Sequence, residues 1–301
     1  MTMSASITSG TRTPGQERQL TQRFEAAARR GFELALSKVD PDREGAQRLI
    51  EVDAEADDGI IEAVLKVVRS YSVSPRFADE ETESEYGYLS GYAPKNITTQ
   101  TNSLRELFTG VGYADEQIAL GPLSANAEGW FAIPKWQDLA PTYGQAVQLV
   151  LDTIKQTHGK FHNYREDELD PTYLRQSAKS EQAWEAIAEQ QPKHDIMVVR
   201  AQFGLNHRGR SVRRALEVMN ANEFGLGAFA VGIMLLTHPE RLQNFYDLCV
   251  DCAGDEFSTW ADGDFDDAPC FDSEDDGIAF YSSEIGEPDA HHGSASAFLP
   301  Q

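Results

Sequence analysis

The chain has 301 residues, 41% of them hydrophobic and 10% aromatic, and a formal net charge of −23. That apolar and aromatic content can build a core, which excludes a globally disordered chain, and the length suits one large domain or two ordinary ones. Three Cys argue against a disulfide framework, and the apolar run at residues 228–236, broken by Gly232, is too short to span a bilayer.

Residues 1–18, rich in Ser, Thr, Gly and Pro, read as a flexible N-terminus. They lack the apolar core of a secretory signal, so a cytoplasmic location is expected. Residues 19–129 read as a helical and loop-rich region. Ala46, Leu49 and Ile50 recur at helical spacing, as do Ile60, Ile61, Val64, Leu65 and Val68. An acidic stretch at 79–85, the tyrosines Tyr86, Tyr88 and Tyr92, and a short helix over 101–108 follow.

Residues 130–301 read as an α+β region with an acidic C-terminal sheet segment. Residues 130–136, WFAIPKW, have strand composition, but Pro134 confines them to an edge or an end. A helix with Pro141 in its first turn follows, with Tyr143, Val147, Val150 and Ile154 on one face and Gly159 at its C-terminal cap. A helix over 172–190 carries Trp184. A strand is predicted over 196–203, then a helix over 211–220 with Val212, Ala215, Leu216 and Met219 as its buried stripe. Residues 228–237 read as a helix stopped before Pro239. Short strands are predicted at 248–252, 268–271 and 278–281. The expected class is α+β: helix-rich in its N-terminal and central parts, with a small antiparallel β-sheet near the C-terminus.

Charge is segregated. The last Lys or Arg is Arg241, and residues 242–301 hold fifteen Asp or Glu, −15 of the −23. Such a field repels nucleic acid and anionic membranes and attracts basic partners. The one basic island is LNHRGRSVRR, with His207, Arg208, Arg210, Arg213 and Arg214 around Ser211. Cations at a helix start oppose its dipole, so carboxylates or a bound phosphate should compensate them. Carboxylates of the acidic C-terminal segment are one source, and a small anion on the Ser211 hydroxyl, helix N–H groups and Arg forks is the other.

Asp262, Asp264 and Asp266 have the 1, 3, 5 spacing of a Ca²⁺ loop. Position 6 is Asp267 instead of Gly and position 12 is Ser273 instead of Glu, so a solvated acidic turn is the expectation and a divalent ion the alternative. Cys249 and Cys252 form a C-x-x-C that Cys270 and His291 could nominally complete as a Cys₃His zinc site. On a strand, however, positions three apart face opposite ways, so these cysteines read as small buried core residues. Asp251 and Asp255 could in principle serve acid–base chemistry, although so many acids supply such a pair by chance. No G-x-S-x-G, G-x-x-x-x-G-K-[ST] or H-E-x-x-H occurs, so no cofactor is expected beyond that divalent-ion alternative.

The segments YGYLSGYAPKNITTQTNSLRELF, EGWFAIPKWQDLAPTYG, AQFGLNHRGRSVRRA and LLTHPERLQNFYDLCVDCAGDEF together resemble a family of uncharacterised bacterial proteins found on integrative and conjugative elements and related mobile DNA. The resemblance implies an accessory protein and carries no activity or site residues. The functional expectation is a non-catalytic acidic module that binds a basic protein, with nucleic-acid mimicry as its sharper form. The competing expectation is an enzyme whose Arg208–Arg214 island and C-terminal carboxylates form a metal, phosphate or carboxylate site.

Overall fold

The computed structural model describes residues 14–39, 76–124, 126–274 and 277–300. The chain divides into two compact units, Met1–Ser72 and Val73–Gln301. In the first, helix α1 (Pro14–Val39) begins at a proline, where the missing N–H has no intrahelical acceptor to lose. The helical spacings at residues 46–68 lie outside the described residues.

The second unit holds the helices α2 (Ile97–Leu107), α3 (Tyr143–His158), α4 (Ala178–Gln190), α5 (Val212–Val218) and α6 (Ala228–Thr237). Four of them start in the same way. Asn96, Thr142, Ser177 and Ser211 each accept the N–H three residues on, a cap worth about 1 kcal/mol apiece. Pro141 therefore precedes the cap of α3 and does not occupy its first turn. The helix expected from 172 begins only at Ala178, because residues 174–176 pair as a strand with a distant segment and that pairing overrides local helical pattern. Helix α6 differs from the rest: all its residues are buried, and its N-cap, Gly227, offers no side chain.

The strands are β1 (Gly129–Pro134), β2 (Phe161–Asn163), β3 (Leu174–Gln176), β4 (Ile196–Gln202), β5 (Glu223–Gly225), β6 (Cys249–Asp251), β7 (Asp255–Phe257), β8 (Asp267–Glu274), β9 (Gly277–Glu284), β10 (His292–Ser294) and β11 (Ser296–Phe298). A four-stranded antiparallel sheet has the order β1-β4-β11-β5. Every residue of β4 is buried, as its apolar run IMVV demands, and β1 takes the edge that Pro134 requires. In the seven-stranded sheet, β8 pairs along one edge with β9 and along the other with β6 and β7. Strand β10 lies parallel beside β6, β3 lies beside β7, and β2 lies parallel beside β9.

The fold is α+β, but the expected small antiparallel C-terminal sheet is larger and mixed. It recruits β2 and β3 from earlier in the chain and contains two parallel pairings. Residues 292–298 do not stay in it. The chain passes from β10 through Ala295 into β11, which fills the centre of the other sheet between β4 and β5. Helix α6 packs on α3, where Gly232 is needed because a Cβ there would sit 2.4 Å from Val150 Cγ1. No described helix is long and apolar enough to cross a membrane.

Candidate functional site

The uncapped start of α6 organises the site. Its first N–H groups need acceptors, and a second segment supplies them. Ala228 N donates to Asp255 Oδ2 at 2.7 Å, and Phe229 N reaches the Tyr143 hydroxyl at 3.5 Å. The Tyr143 OH donates in turn to the Asp255 carboxylate at 2.8 Å. Gly227 makes room for this: a Cβ there would lie 2.1 Å from Asp255 Oδ1 and 2.5 Å from the Tyr143 oxygen. The three groups meet because α3 brings Tyr143 in at its first residue and β7 brings Asp255 in at its own.

Electrostatics here are unusual. Asp255 is 3% exposed. Burial pushes its carboxyl up to about 7, against the lowering effect of the Ala228 N–H and the Tyr143 hydroxyl. Burial and the neighbouring Asp255 likewise raise the Tyr143 phenol well above its ordinary range. A carboxyl that titrates near neutrality, linked to a phenol at a helix N-terminus, can hold or release a proton at physiological pH.

Tyr143 and Gly227 also line a cavity of about 220 Å³. Its walls are aromatic: Trp136, edge-on to Tyr143 at 5.8 Å, and Trp184, edge-on to Phe224 at 5.5 Å. Helix α4 presents Glu181, Trp184, Glu185 and Ala188 on a single face, the i, i+3, i+4, i+7 set. Lys135 and Gln176 add polar groups. A partly open, mostly apolar cleft with a few convergent polar groups, one of them bonded to a perturbed acid, is a usual form of a small-molecule site.

The basic island lies elsewhere; none of its residues lines this cavity. Arg213 pairs with Glu80 at 2.5 Å, Arg214 with Glu81 at 2.5 Å and Glu217 at 3.0 Å, and Arg210 with Glu81 at 3.5 Å. Ser211 donates to Glu80 Oε2 at 2.7 Å, and Arg208 donates to the Tyr86 carbonyl at 2.9 Å. His207 is buried against Glu223, with 2.8 Å between Nε2 and Oε1. The arrangement is the carboxylate cradle expected at a cationic helix start. Among the described residues, the acids paired with its arginines come from the stretch at 79–85 and from α5 and not from the C-terminal segment. These pairings hold Glu80 and Glu81 below the usual carboxylate range.

Asp262, Asp264 and Asp266 stand exposed in the turn between β7 and β8. Asp262 Oδ1 accepts from Ser258 Oγ and from Asp264 N, a self-closed turn. Among the described residues these three do not form a cluster of metal-ligating groups. The cysteines separate as strand alternation requires. Cys252 joins the apolar core, while Cys249 and Cys270 meet on the opposite face of the large sheet. His291 turns to the Asp247 carbonyl at 2.8 Å.

Sequence reasoning passed over Tyr143, read as a core-facing helix residue, and treated Asp255 as one acid among fifteen. The only local signal was an apolar helix opening on Gly227 with no capping side chain. No protein-family model, curated protein or solved structure matches this chain.

Proposed function

We propose that the protein binds a small, flat, partly apolar molecule in the cavity between α4 and the start of α6, with the Tyr143–Asp255 couple as its proton-handling group. The observation that carries this reading is that Tyr143, hydrogen-bonded to the buried Asp255 carboxyl, lines the aromatic-walled cavity. Trp136 and Trp184 supply flat apolar walls, Glu181 and Glu185 negative charge against the single positive charge of Lys135, and Gln176 an amide. One-ring aromatic amines and amides are therefore the chemistry to present. Their binding should quench tryptophan fluorescence saturably in the wild type. Ala188→Phe, which fills the cavity from a half-exposed helix position, should abolish the response. No saturable response from either chemistry, or one that Ala188→Phe leaves intact, would sink the reading.

A second reading rests on a different observation. The turn with Asp262, Asp264 and Asp266 adjoins the turn with Glu284, Glu287 and Asp289, joined by Ile285 N to Asp266 O at 2.8 Å and by the register pair Asp267–Glu284. The six exposed acids form a patch suited to a basic protein, the partner the charge segregation implies. A cytoplasmic accessory role on mobile DNA, with mimicry of a phosphate backbone, agrees with that patch. Binding of a Lys/Arg-rich peptide should fall with salt and be lost on changing Asp262, Asp264 and Asp266 to Asn. Unchanged binding in that variant would dismiss the patch.

A further inference from the structure

The seven-stranded sheet is two-faced. Val250 of β6, Phe271 of β8 and Ile278 and Phe280 of β9 point into the main core. Side chains alternate along a strand, so the opposite face receives Cys249 and Asp251 from β6, Cys270 and Asp272 from β8, and Tyr281 from β9. Register brings them together. Asp251 faces Cys270, Cys270 faces Tyr281, and His292 of parallel strand β10 lies beside Cys249.

One potential donor atom from each of Cys249, Asp251, Cys270 and His292 lies within 4.8 Å of all the others. Both cysteines are fully buried and Asp251 nearly so, while His292 is half-buried at the edge. Asp251 Oδ1 meets His292 Nδ1 at 2.7 Å, which fixes the ring plane. The Tyr281 hydroxyl stands 3.4 Å from His292 Nε2 and 3.8 Å from Cys249 Sγ. A buried cysteine acting as a small hydrophobe belongs among apolar side chains, as Cys252 does. Cys249 and Cys270 instead face a carboxylate, an imidazole and a phenol.

We propose that Cys249, Cys270, His292 and Asp251 form a four-donor zinc site. Two thiolates and an imidazole select a borderline-soft ion, and four donors suit its tetrahedral preference. The contact between Asp251 Oδ1 and His292 Nδ1 already brings two of the four donors side by side. The site is separate from the cavity at α6 and does not depend on the reading given to it. Its mechanical effect is specific. The ion ties β10 to β6 and β8, and β10 leads through Ala295 into β11 at the centre of the other sheet. Residues 292–298 are thus anchored at the point where the chain changes sheets.

The spacing explains why the C-x-x-C misleads. Cys249 and Cys252 lie on opposite faces, whereas Cys249 and Asp251, two apart, share one. His292 and not His291 is the histidine in register with Cys249.

The test uses the full chain, tag-free, reduced and chelator-treated, titrated with Co²⁺. The wild type should take up one ion per chain with a thiolate-to-cobalt charge-transfer band, and Zn²⁺ should displace it. Cys270→Ser, left with one thiolate, should lose much of the band, Asp251→Asn should bind cobalt at least about 10-fold more weakly, and Cys252→Ser should match the wild type. Tryptophan fluorescence checks that each variant is folded. Should Cys270→Ser fail to fold, differential alkylation of the wild type serves instead: Zn²⁺ should shield Cys249 and Cys270 and leave Cys252 unchanged. A reduced wild type that gives no cobalt spectrum, a Cys270→Ser variant with an undiminished spectrum, or a Cys249–Cys270 disulfide in the isolated protein would each overturn the proposal.

Discussion

Asp255→Asn probes the start of α6 through the pH dependence of stability. Burial lifts the Asp255 carboxyl from its ordinary 3.8 to about 7, while in the unfolded chain it titrates at its ordinary value. The fold therefore favours the neutral form. A gap of about three pH units at about 1.4 kcal/mol each means that the ionised carboxylate costs on the order of 4 kcal/mol. For a folded pKa raised above the unfolded one, the contribution is fully present below the unfolded value and is lost as pH rises through about 7. Between pH 5 and pH 8 the wild type should lose about 2.5 kcal/mol through this group alone. Asn cannot ionise, yet it retains an oxygen to accept from Ala228 N or Tyr143. All four tryptophans, Trp130, Trp136, Trp184 and Trp260, lie in the unit Val73–Gln301, so urea denaturation followed by fluorescence reads that unit. The stability of Asp255→Asn relative to wild type should rise by about 2.5 kcal/mol from pH 5 to pH 8. A difference that stays flat or falls would show that the carboxylate is ionised throughout, and the desolvation argument would be wrong.

Three further changes have worked outcomes, each measured by the same denaturation experiment. Gly227→Ala drives a Cβ into the Asp255–Tyr143 couple and should cost about 1–3 kcal/mol. Glu223→Gln weakens a fully buried carboxylate's contacts with His207, Ser296 and Asn220 and should cost about 3 kcal/mol at pH 7. Those contacts hold Glu223 down at about 2, so its contribution is present above the ordinary 4.5 and is lost as pH falls toward 2; the penalty of Glu223→Gln should shrink accordingly. Arg241→Lys should cost about 2 kcal/mol: the guanidinium is fully buried 3.8 Å over the Tyr88 ring, and its Nη2 serves the Phe203 and Leu248 carbonyls, geometry that an ammonium cannot reproduce.

Much of the local structure is legible in the chain because its causes are local. Capping residues stand where four helices begin, Pro134 keeps β1 at an edge, and the run from Ala228 to Thr237 is the length of the buried helix it forms. Charge patterning shows equally well that the arginines at 208–214 need anions. Which carboxylates answer them is only partly local: Glu217 is three residues from Arg214, but the acids at 80 and 81 come from about 130 residues away.

The candidate sites belong to that second category. Tyr143 and Asp255 are 112 residues apart and become a couple only when α3, β7 and α6 converge. Cys249, Cys270 and His292 share a sheet face because parallel and antiparallel registers coincide there, and no spacing motif records register. The α+β class, most element positions and the charge segregation can be read from the chain alone, since propensity, capping and periodicity act over a few residues. Tertiary structure alone decided the strand order, the exit of residues 296–298 into the other sheet, and the juxtaposition of the site residues. A strand's partners are chosen by the burial that a whole sheet achieves, and its own few residues do not encode that choice.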